Sequence, residues 1–376
     1  MTAPPRYDLD RMRAAAERAT GLRDPETTGR WEEGARRLCA ALSNEAGLGG
    51  AGDFALRIML LDLLASRLRV HAALAANETP RLASPVFVLG LPRTGTTLLH
   101  GVLAQHHELT APSSVECFFP AGHGDDAVRA TRRVLDAWQR AVPALYALHA
   151  MDVAAPNECG FLLLPGFVTH YFGVVARVPS YLQWLDDLGP LDEEYVALAE
   201  RYALIAAHRP PHDTRRWVFK CPHHLLALDA LARVFPDARF VWTHRDVREA
   251  VPSWCSVVAT ARSRHAAVAR NELGPAELAL WARGVRRAAA IRPGLAGRVL
   301  DVSYRRLVAD LPGVFRDVCA FAGVGCDPEL LDGVRRWSVA HAKDRHGVHR
   351  YTAEDFGLTG SQIERAFDSY AGEPPS

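Results

Sequence analysis

The run Val86-Phe87-Val88-Leu89 is followed at once by Gly90-Leu91-Pro92-Arg93-Thr94-Gly95-Thr96-Thr97, and Thr97 to His107 then shows helical spacing. A short, continuously apolar run is the signature of a strand buried on both faces. Two glycines bracketing a loop at a helix N-terminus leave backbone N–H groups converging on one spot, where the helix dipole favours an anion. The nucleoside-triphosphate version of this loop reads GxxxxGK[ST], with the lysine reaching the β- and γ-phosphates. Here Thr96 stands in the lysine position and Arg93 lies inside the loop. The loop therefore suits a single phosphate and suits Mg-ATP or Mg-GTP poorly. A ligand-free turn is the bland alternative, but too many features coincide here to favour it.

The same strand-then-helix grammar returns downstream. Arg216–Phe219, Arg239–Thr243 and Arg298–Val302 read as strands, and the segments Pro222–Val234, Asp246–Ala259, Ser303–Ala309 and Val314–Phe321 read as helices. Strands separated by helices of this length predict an α/β, P-loop-like three-layer fold, with a central parallel sheet flanked by helices. Asp125 to Glu200 reads as largely helical, with a markedly apolar stretch from Phe161 to Val175. Upstream, Leu9–Ala19, Trp31–Glu45 and Gly52–Ala76 carry apolar residues at helical spacing, until Asn77-Glu78-Thr79-Pro80 stops the pattern. The expected organisation is a helical N-terminal extension over residues 1–80 and an α/β domain over 81–376.

Charge and cysteine usage exclude several classes. The 376 residues carry 44 Lys plus Arg against 43 Asp plus Glu, so nucleic acid is not an expected partner. The seven cysteines are scattered with no CxxC pair, which argues against a disulfide framework or a structural zinc site and for a reducing compartment. No apolar leader opens the chain, and the most apolar long stretch, Phe54 to Val70, is broken by Arg57, Asp62, Arg67 and Arg69. A cytoplasmic protein without a transmembrane segment is expected. Lys220 and Lys343 are the only lysines in the chain. Where positive charge is otherwise written as arginine, a retained lysine is a candidate for a job that needs a compact ammonium.

Two further motifs lie at predicted strand ends. Thr243-His244-Arg245-Asp246 closes one strand, and Ser253, eight residues past Arg245, falls about two turns into the next helix. Arg245 and Ser253 could share an anion at the carboxyl end of the sheet, where open α/β sheets bind ligands. Trp217-Val218-Phe219-Lys220 ends a second strand and is followed by Cys221-Pro222-His223-His224, which places a cation and a proton acceptor at one sheet edge. Neighbouring histidines on a helix diverge and no third ligand is evident, so no metal is expected.

Together these motifs resemble the sulfotransferases that use 3′-phosphoadenosine 5′-phosphosulfate (PAPS). Leu91-Pro92-Arg93-Thr94-Gly95-Thr96-Thr97 is similar to that family's 5′-phosphosulfate loop, and the Arg245/Ser253 spacing to its 3′-phosphate site. The likeness runs from Pro85 to Tyr351. The Lys220-Cys221-Pro222 segment is closer to the tyrosylprotein sulfotransferases than to the cytosolic ones, whose pattern would place a histidine one residue before His223. The tail Tyr351 to Leu358 is similar to bacterial members with a helical N-terminal extension.

The resemblance implies in-line transfer of a sulfuryl group from PAPS to a hydroxyl, or secondarily an amine, releasing 3′-phosphoadenosine 5′-phosphate (PAP) without a metal. Lys220 and Arg93 would stabilise charge on the bridging oxygen. Thr94, Gly95, Thr96 and Thr97 would hold the phosphate, and Arg245 with Ser253 the 3′-phosphate. Lys343 and Arg345 loosely match a basic segment covering that group. Two residues compete as general base: His223, which matches the cytosolic pattern with a shift, and Glu116, which matches the tyrosylprotein pattern with a shift and is preferred. Glu158 is a lesser candidate for touching substrate. Phe161 to Val175 either lines an acceptor pocket or packs the core. The acceptor is expected to be a small hydrophobic metabolite or lipid, and the N-terminal helices either cover its site or form a homodimer interface. Two alternatives stay open: a small-molecule kinase, and a PAP-binding protein without catalysis.

Overall fold

A computed structural model describes residues 6–25, 28–122, 124–143, 151–210, 212–340, 351–368 and 370. Lys343 and Arg345 lie outside them.

The centre is a five-stranded, wholly parallel sheet of order β2-β3-β1-β4-β5. Its strands are β1 (Val86–Gly90), β2 (Leu109–Thr110), β3 (Arg216–Lys220), β4 (Arg239–His244) and β5 (Val299–Ser303). Four of them match the strands read from the sequence. β2 does not. The helix after the loop ends at Leu103, and Leu109-Thr110 then pairs with Arg216-Trp217.

Alternation along the strands separates two cores. Val86, Val88, Val218 and Val241 face one layer, where they pack with Leu99 and Val102 of the helix Thr96–Leu103 and with Val314 and Val318. Phe87, Phe219 and Phe240 face the other, larger layer. Tyr202 stacks on Phe219 there, with centroids 3.7 Å apart. The sheet with a helical layer on each face is the three-layer α/β architecture expected.

The first three helices are α1 (Leu9–Thr20), α2 (Arg30–Asn44) and α3 (Gly50–Ala76). Leu56, Leu60, Leu64 and Leu68 form a buried stripe on α3, within the same core that holds Phe87, Phe167 and Tyr195. The stripe has the i, i+4 spacing that puts residues on one face of a helix. A buried pair, Arg67 Nε to Asp24 at 2.9 Å, fastens α3, and the guanidinium also sits 4.1 Å over the Trp31 ring. Breaking such a pair leaves an uncompensated buried charge, at a cost of about 3–5 kcal/mol. The start of α3 presses against the chain at His265: a Cβ on Gly52 would lie 2.2 Å from the His265 carbonyl, so no side chain fits there. Among the described residues, no helix is long and apolar enough to cross a membrane.

Between β2 and β3 the expected helical region is broken into pieces, including Gly124–Ala141, Pro179–Asp187 and Asp192–Ala207. One interruption is at Pro165-Gly166-Phe167, where Phe167 takes a left-handed φ of 53°.

Candidate active site

β1 lies between β3 and β4, with Val88 opposite Lys220 and Gly90 opposite Thr243. The loop after β1, the end of β3 and the end of β4 therefore meet at one sheet edge. They meet where the strand order reverses, the place open α/β sheets use for ligands.

The loop's two glycines are required sterically. Gly90 has φ 146°, and a Cβ there would lie 2.4 Å from the Thr243 carbonyl oxygen. Gly95 has φ 90° and serves as N-cap of the helix Thr96–Leu103; a Cβ there would meet Leu307 at 2.6 Å. Arg93 is itself left-handed, at φ 70°. A strained non-glycine residue in a loop of this kind is held by its surroundings. Arg93 Nε donates to Ser253 Oγ at 3.1 Å, and its carbonyl accepts from Arg245 Nη1 at 3.0 Å. Arg245 also lies 4.4 Å over the Tyr304 ring and donates to Glu249 from Nε and Nη2 at 3.0 and 2.8 Å. Burial, helped by the charge of Arg245, pulls the Arg93 guanidinium below its ordinary value. Arg93, Arg245 and Ser253 thus form one cationic group, whereas the sequence reading had set Arg93 beside Lys220. Gly95, Thr96 and Thr97 face the cavity, but Thr94 does not. Its hydroxyl is fully buried, donating to the Leu91 carbonyl and lying 2.6 Å from Thr243 Oγ1.

Lys220 is 1% exposed. Its ammonium donates to Thr97 Oγ1 at 3.2 Å and to the Glu158 carboxylate. Glu158 is fixed by its neighbour, because Cys159 N donates to the Lys220 carbonyl at 3.0 Å. Its second oxygen accepts from the Tyr171 hydroxyl at 3.4 Å. The lysine therefore joins the loop after β1 to a carboxylate that lines the cavity.

Glu116 does not share that position, and the geometry favours Glu158 over it. It is the third residue of the helix Ser114–Phe118, where its carboxylate accepts from Ser113 N and Oγ at 2.7 Å in a capping box. Its other oxygen pairs with Arg209 at 2.7 Å. Both oxygens are committed to structure, and Glu116 is not among the residues lining the cavity. The SxxE pattern at Ser113 was the signal that this glutamate caps a helix.

His223 lines the cavity, with its ring 5.0 Å from Tyr171 and 5.1 Å from Trp281. His224 points the other way, into the core, where Nδ1 lies 3.0 Å from the Tyr195 hydroxyl. Burial pushes both imidazoles, and that of His100, down to about 3. Unfolded, they would take up protons near 6.5. Between these values the unfolded chain binds more protons, so stability falls as pH drops through that window and is unaffected above it. Each such histidine adds about 1.4 kcal/mol per pH unit. Melting temperatures measured between about pH 7 and about pH 4 should fall steeply, and His224→Gln should flatten the decline.

The cavity holds about 1110 Å³. Cationic and hydroxyl groups from the loop, Arg245 and Ser253 line one end. Most of the remaining lining is apolar, with Met59 and Leu63 from α3, Phe118, Trp138, Phe161 and Val175, though Asp62, Glu158, His223, Arg264 and His265 also face it. Both readings of Phe161 to Val175 apply at once. Phe161, Leu164, Tyr171, Val174 and Val175 line the cavity, while Leu162, Phe167 and Phe172 are buried in the core. α3 forms a wall of this cavity, the covering position considered for the N-terminal helices. Tyr171 and Tyr304 carried no motif and were missed by sequence reasoning. Away from this site, His106, His107 and Glu108 bring ligand-type atoms within 4.8 Å of one another. The His106 nitrogens are already engaged, one with the Gly325 carbonyl and one by Glu108 N–H.

Comparison with known proteins agrees with this geometry. The family model described as "Sulfotransferase family" matches residues 85–328. A curated relative, omega-hydroxy-beta-dihydromenaquinone-9 sulfotransferase Stf3 of Mycobacterium tuberculosis (strain CDC 1551 / Oshkosh), is 24% identical over 326 residues, 79% of each chain. The crystal structure of sulfotransferase STF1 from Mycobacterium tuberculosis H37Rv superposes with a TM-score of 0.81 at 26% identity, covering 98% of this chain and 100% of that one. Sulfotransferase STF9 from Mycobacterium avium gives a TM-score of 0.81 at 24% identity, over 96% of this chain and 95% of that one. With a match over most of the α/β region and a shared fold across nearly the whole chain, the protein belongs to the sulfotransferase family.

Proposed function

We propose that this sulfotransferase moves a sulfuryl group from PAPS to the hydroxyl of a hydrophobic, lipid-like acceptor. The observation that carries this reading is Lys220, buried at the end of β3 and hydrogen-bonded both to Thr97 of the phosphate loop and to Glu158 of the cavity. The donor fits the residues present. A glycine cradle ahead of the helix Thr96–Leu103 suits one phosphate, and Arg93, Arg245 and Ser253 suit a second anion apart from it. When bound, the donor supplies an activated sulfur and a phosphate leaving group.

In the proposed mechanism the acceptor oxygen forms a bond to sulfur while the bond from sulfur to the bridging oxygen breaks. The acceptor's proton passes to Glu158, and the electron pair stays on the departing 5′-phosphate. Lys220 stabilises that charge as it develops, the kind of preorganised electrostatic help that outweighs other contributions at such centres. The base role goes to Glu158 on position, since it lines the cavity between Lys220 and Tyr171, whereas burial holds the His223 imidazole down to about 3. Arg93 and Arg245 position the donor.

The apolar end of the cavity supports the acceptor class. So does the named relative, which acts on an omega-hydroxy-beta-dihydromenaquinone-9. All seven cysteines stand free, in keeping with the cytoplasmic location we infer from the sequence.

Thermal melting with PAP, run beside Mg-ATP, tests the donor. At a hundred times its Kd, PAP should add about 2.7 kcal/mol, a rise of a few degrees. Arg93→Ala and Arg245→Ala should abolish most of the rise. Stabilisation by Mg-ATP alone would replace this reading with a kinase. PAP binding with no sulfated product from any hydroxylated lipid would leave a nucleotide-binding protein without catalysis.

A further inference from the structure

The large apolar side chains left exposed are not scattered over the surface. Among the described residues they are Phe54, Ile58, Val196, Val308 and Val339, and all but Val196 line the cavity that holds the active site. Phe54 is 68% exposed and Val339 81%. The two sides of this rim come from different parts of the chain: Phe54 and Ile58 from α3, Val308 from the helix Tyr304–Ala309, and Val339 from Pro328–Ala340. Burying the Leu56/Leu60/Leu64/Leu68 stripe accounts for one face of α3, yet Phe54, Ala55, Ile58 and Met59 give it a second apolar face. A helix apolar on more than its core face has a second apolar partner.

Arginines flank each apolar tip. Arg57 follows Phe54 by one turn and adjoins Ile58, Arg305 precedes Val308 by one turn, and Arg335 and Arg336 precede Val339 by one turn; all four are exposed. Arg335 pairs with Asp332, whereas Arg57 and Arg336 form no ion pair among the described residues. The rim's cavity-lining acid is Asp62, whose carboxyl is raised above its ordinary value by burial and so carries its charge less readily. Apolar tips surrounded by guanidinium groups match a phospholipid surface, where the tips enter the acyl boundary and the cations meet phosphates. A second copy of the chain seated on the rim would close the mouth through which an acceptor must enter. A bilayer seated there would instead supply the acceptor.

We propose that the cavity mouth is a membrane-docking face, which places the protein on an anionic bilayer with the cavity open towards the lipid. The inference rests on the lipid-acceptor reading for the acceptor's route into the site. The docking itself is measured without donor or acceptor, so the two fail separately.

The test is flotation of the full chain with phosphatidylcholine vesicles and with phosphatidylcholine/phosphatidylglycerol vesicles. The protein should float with the mixed vesicles, more weakly at high salt and more weakly with phosphatidylcholine alone. Phe54→Ser/Ile58→Ser should weaken partitioning at least about tenfold. Arg57→Gln and Arg336→Gln should each weaken it about fivefold. Val339→Ser, at the most exposed tip, gives a second apolar probe, and retention of the PAP melting shift shows that each variant is folded. No flotation overturns the proposal, as does flotation that these variants leave unchanged. A monomer–dimer equilibrium abolished by Phe54→Ser/Ile58→Ser, with no flotation, would make the rim an interface between copies. Flotation of a protein that sulfates no lipid would uphold the docking face and count against the proposed acceptor.

Discussion

Replacing Lys220 by methionine should lower kcat by about 10²–10³-fold, the usual consequence of deleting one preorganised stabiliser of transition-state charge. Methionine keeps much of the side-chain volume in a site that is 1% exposed, so the loss reports charge and not a cavity. PAP affinity should change far less, because Arg93, Arg245, Ser253 and the loop amides remain. Lys220→Arg should not restore the rate: a planar guanidinium needs room that this buried site lacks, and it cannot concentrate its charge on one atom. The chain's own usage makes the same point, since all but two of its 44 cations are arginines and one exception is here. A single-turnover rate within tenfold of the parent in Lys220→Met would remove the lysine from the mechanism.

The second large effect concerns Glu158. Glu158→Gln retains the size of the side chain and an acceptor for the Tyr171 hydroxyl, but it cannot take up the acceptor's proton. A positioned general base contributes about 10²–10⁴-fold, and a kcat loss of that order is expected. It should be accompanied by a lower melting temperature, because the buried Lys220 side chain loses its carboxylate partner. His223→Asn should cost less than tenfold by comparison. Glu116→Ala should leave the rate near the parent's and remove about 1 kcal/mol of stability by deleting the acceptor of its capping box. If His223→Asn proved as severe as Glu158→Gln, the proton would have to pass through the imidazole.

What could be read from the chain followed the range of the physics involved. The half-buried edge strand β5 was legible from the strand-then-helix alternation. The strands β1, β3 and β4 were legible because a strand buried on both faces must be largely apolar, and that demand is local. The loop after β1 was legible for the same reason: Gly90 and Gly95 hold conformations and close approaches that few other residues tolerate. The choice of base was not local. Glu116 and Glu158 both sit near a helix start; the SxxE pattern marks the first as a cap, but only the fold shows that Arg209 pairs with it and that Lys220 reaches the other. Arg93 poses a similar problem, since its guanidinium turns to Ser253, 160 residues away in sequence. The two-residue strand β2 is too short to carry a pattern, and the double duty of Phe161 to Val175 appears only when core and cavity are both in place.

The cavity wall supplied by α3 lies outside residues 85–328, the stretch that matches the family. Part of the cavity wall is thus written on a length of chain separate from the donor site, and the two meet only after folding. The sheet edge with its loop, lysine and arginines can stay constant while Phe54, Ile58, Met59 and Leu63 vary. Acceptor preference becomes an exchangeable cassette: grafting the cavity-facing positions of one relative's α3 onto another should transfer a taste for one lipid over another without altering the affinity for PAP.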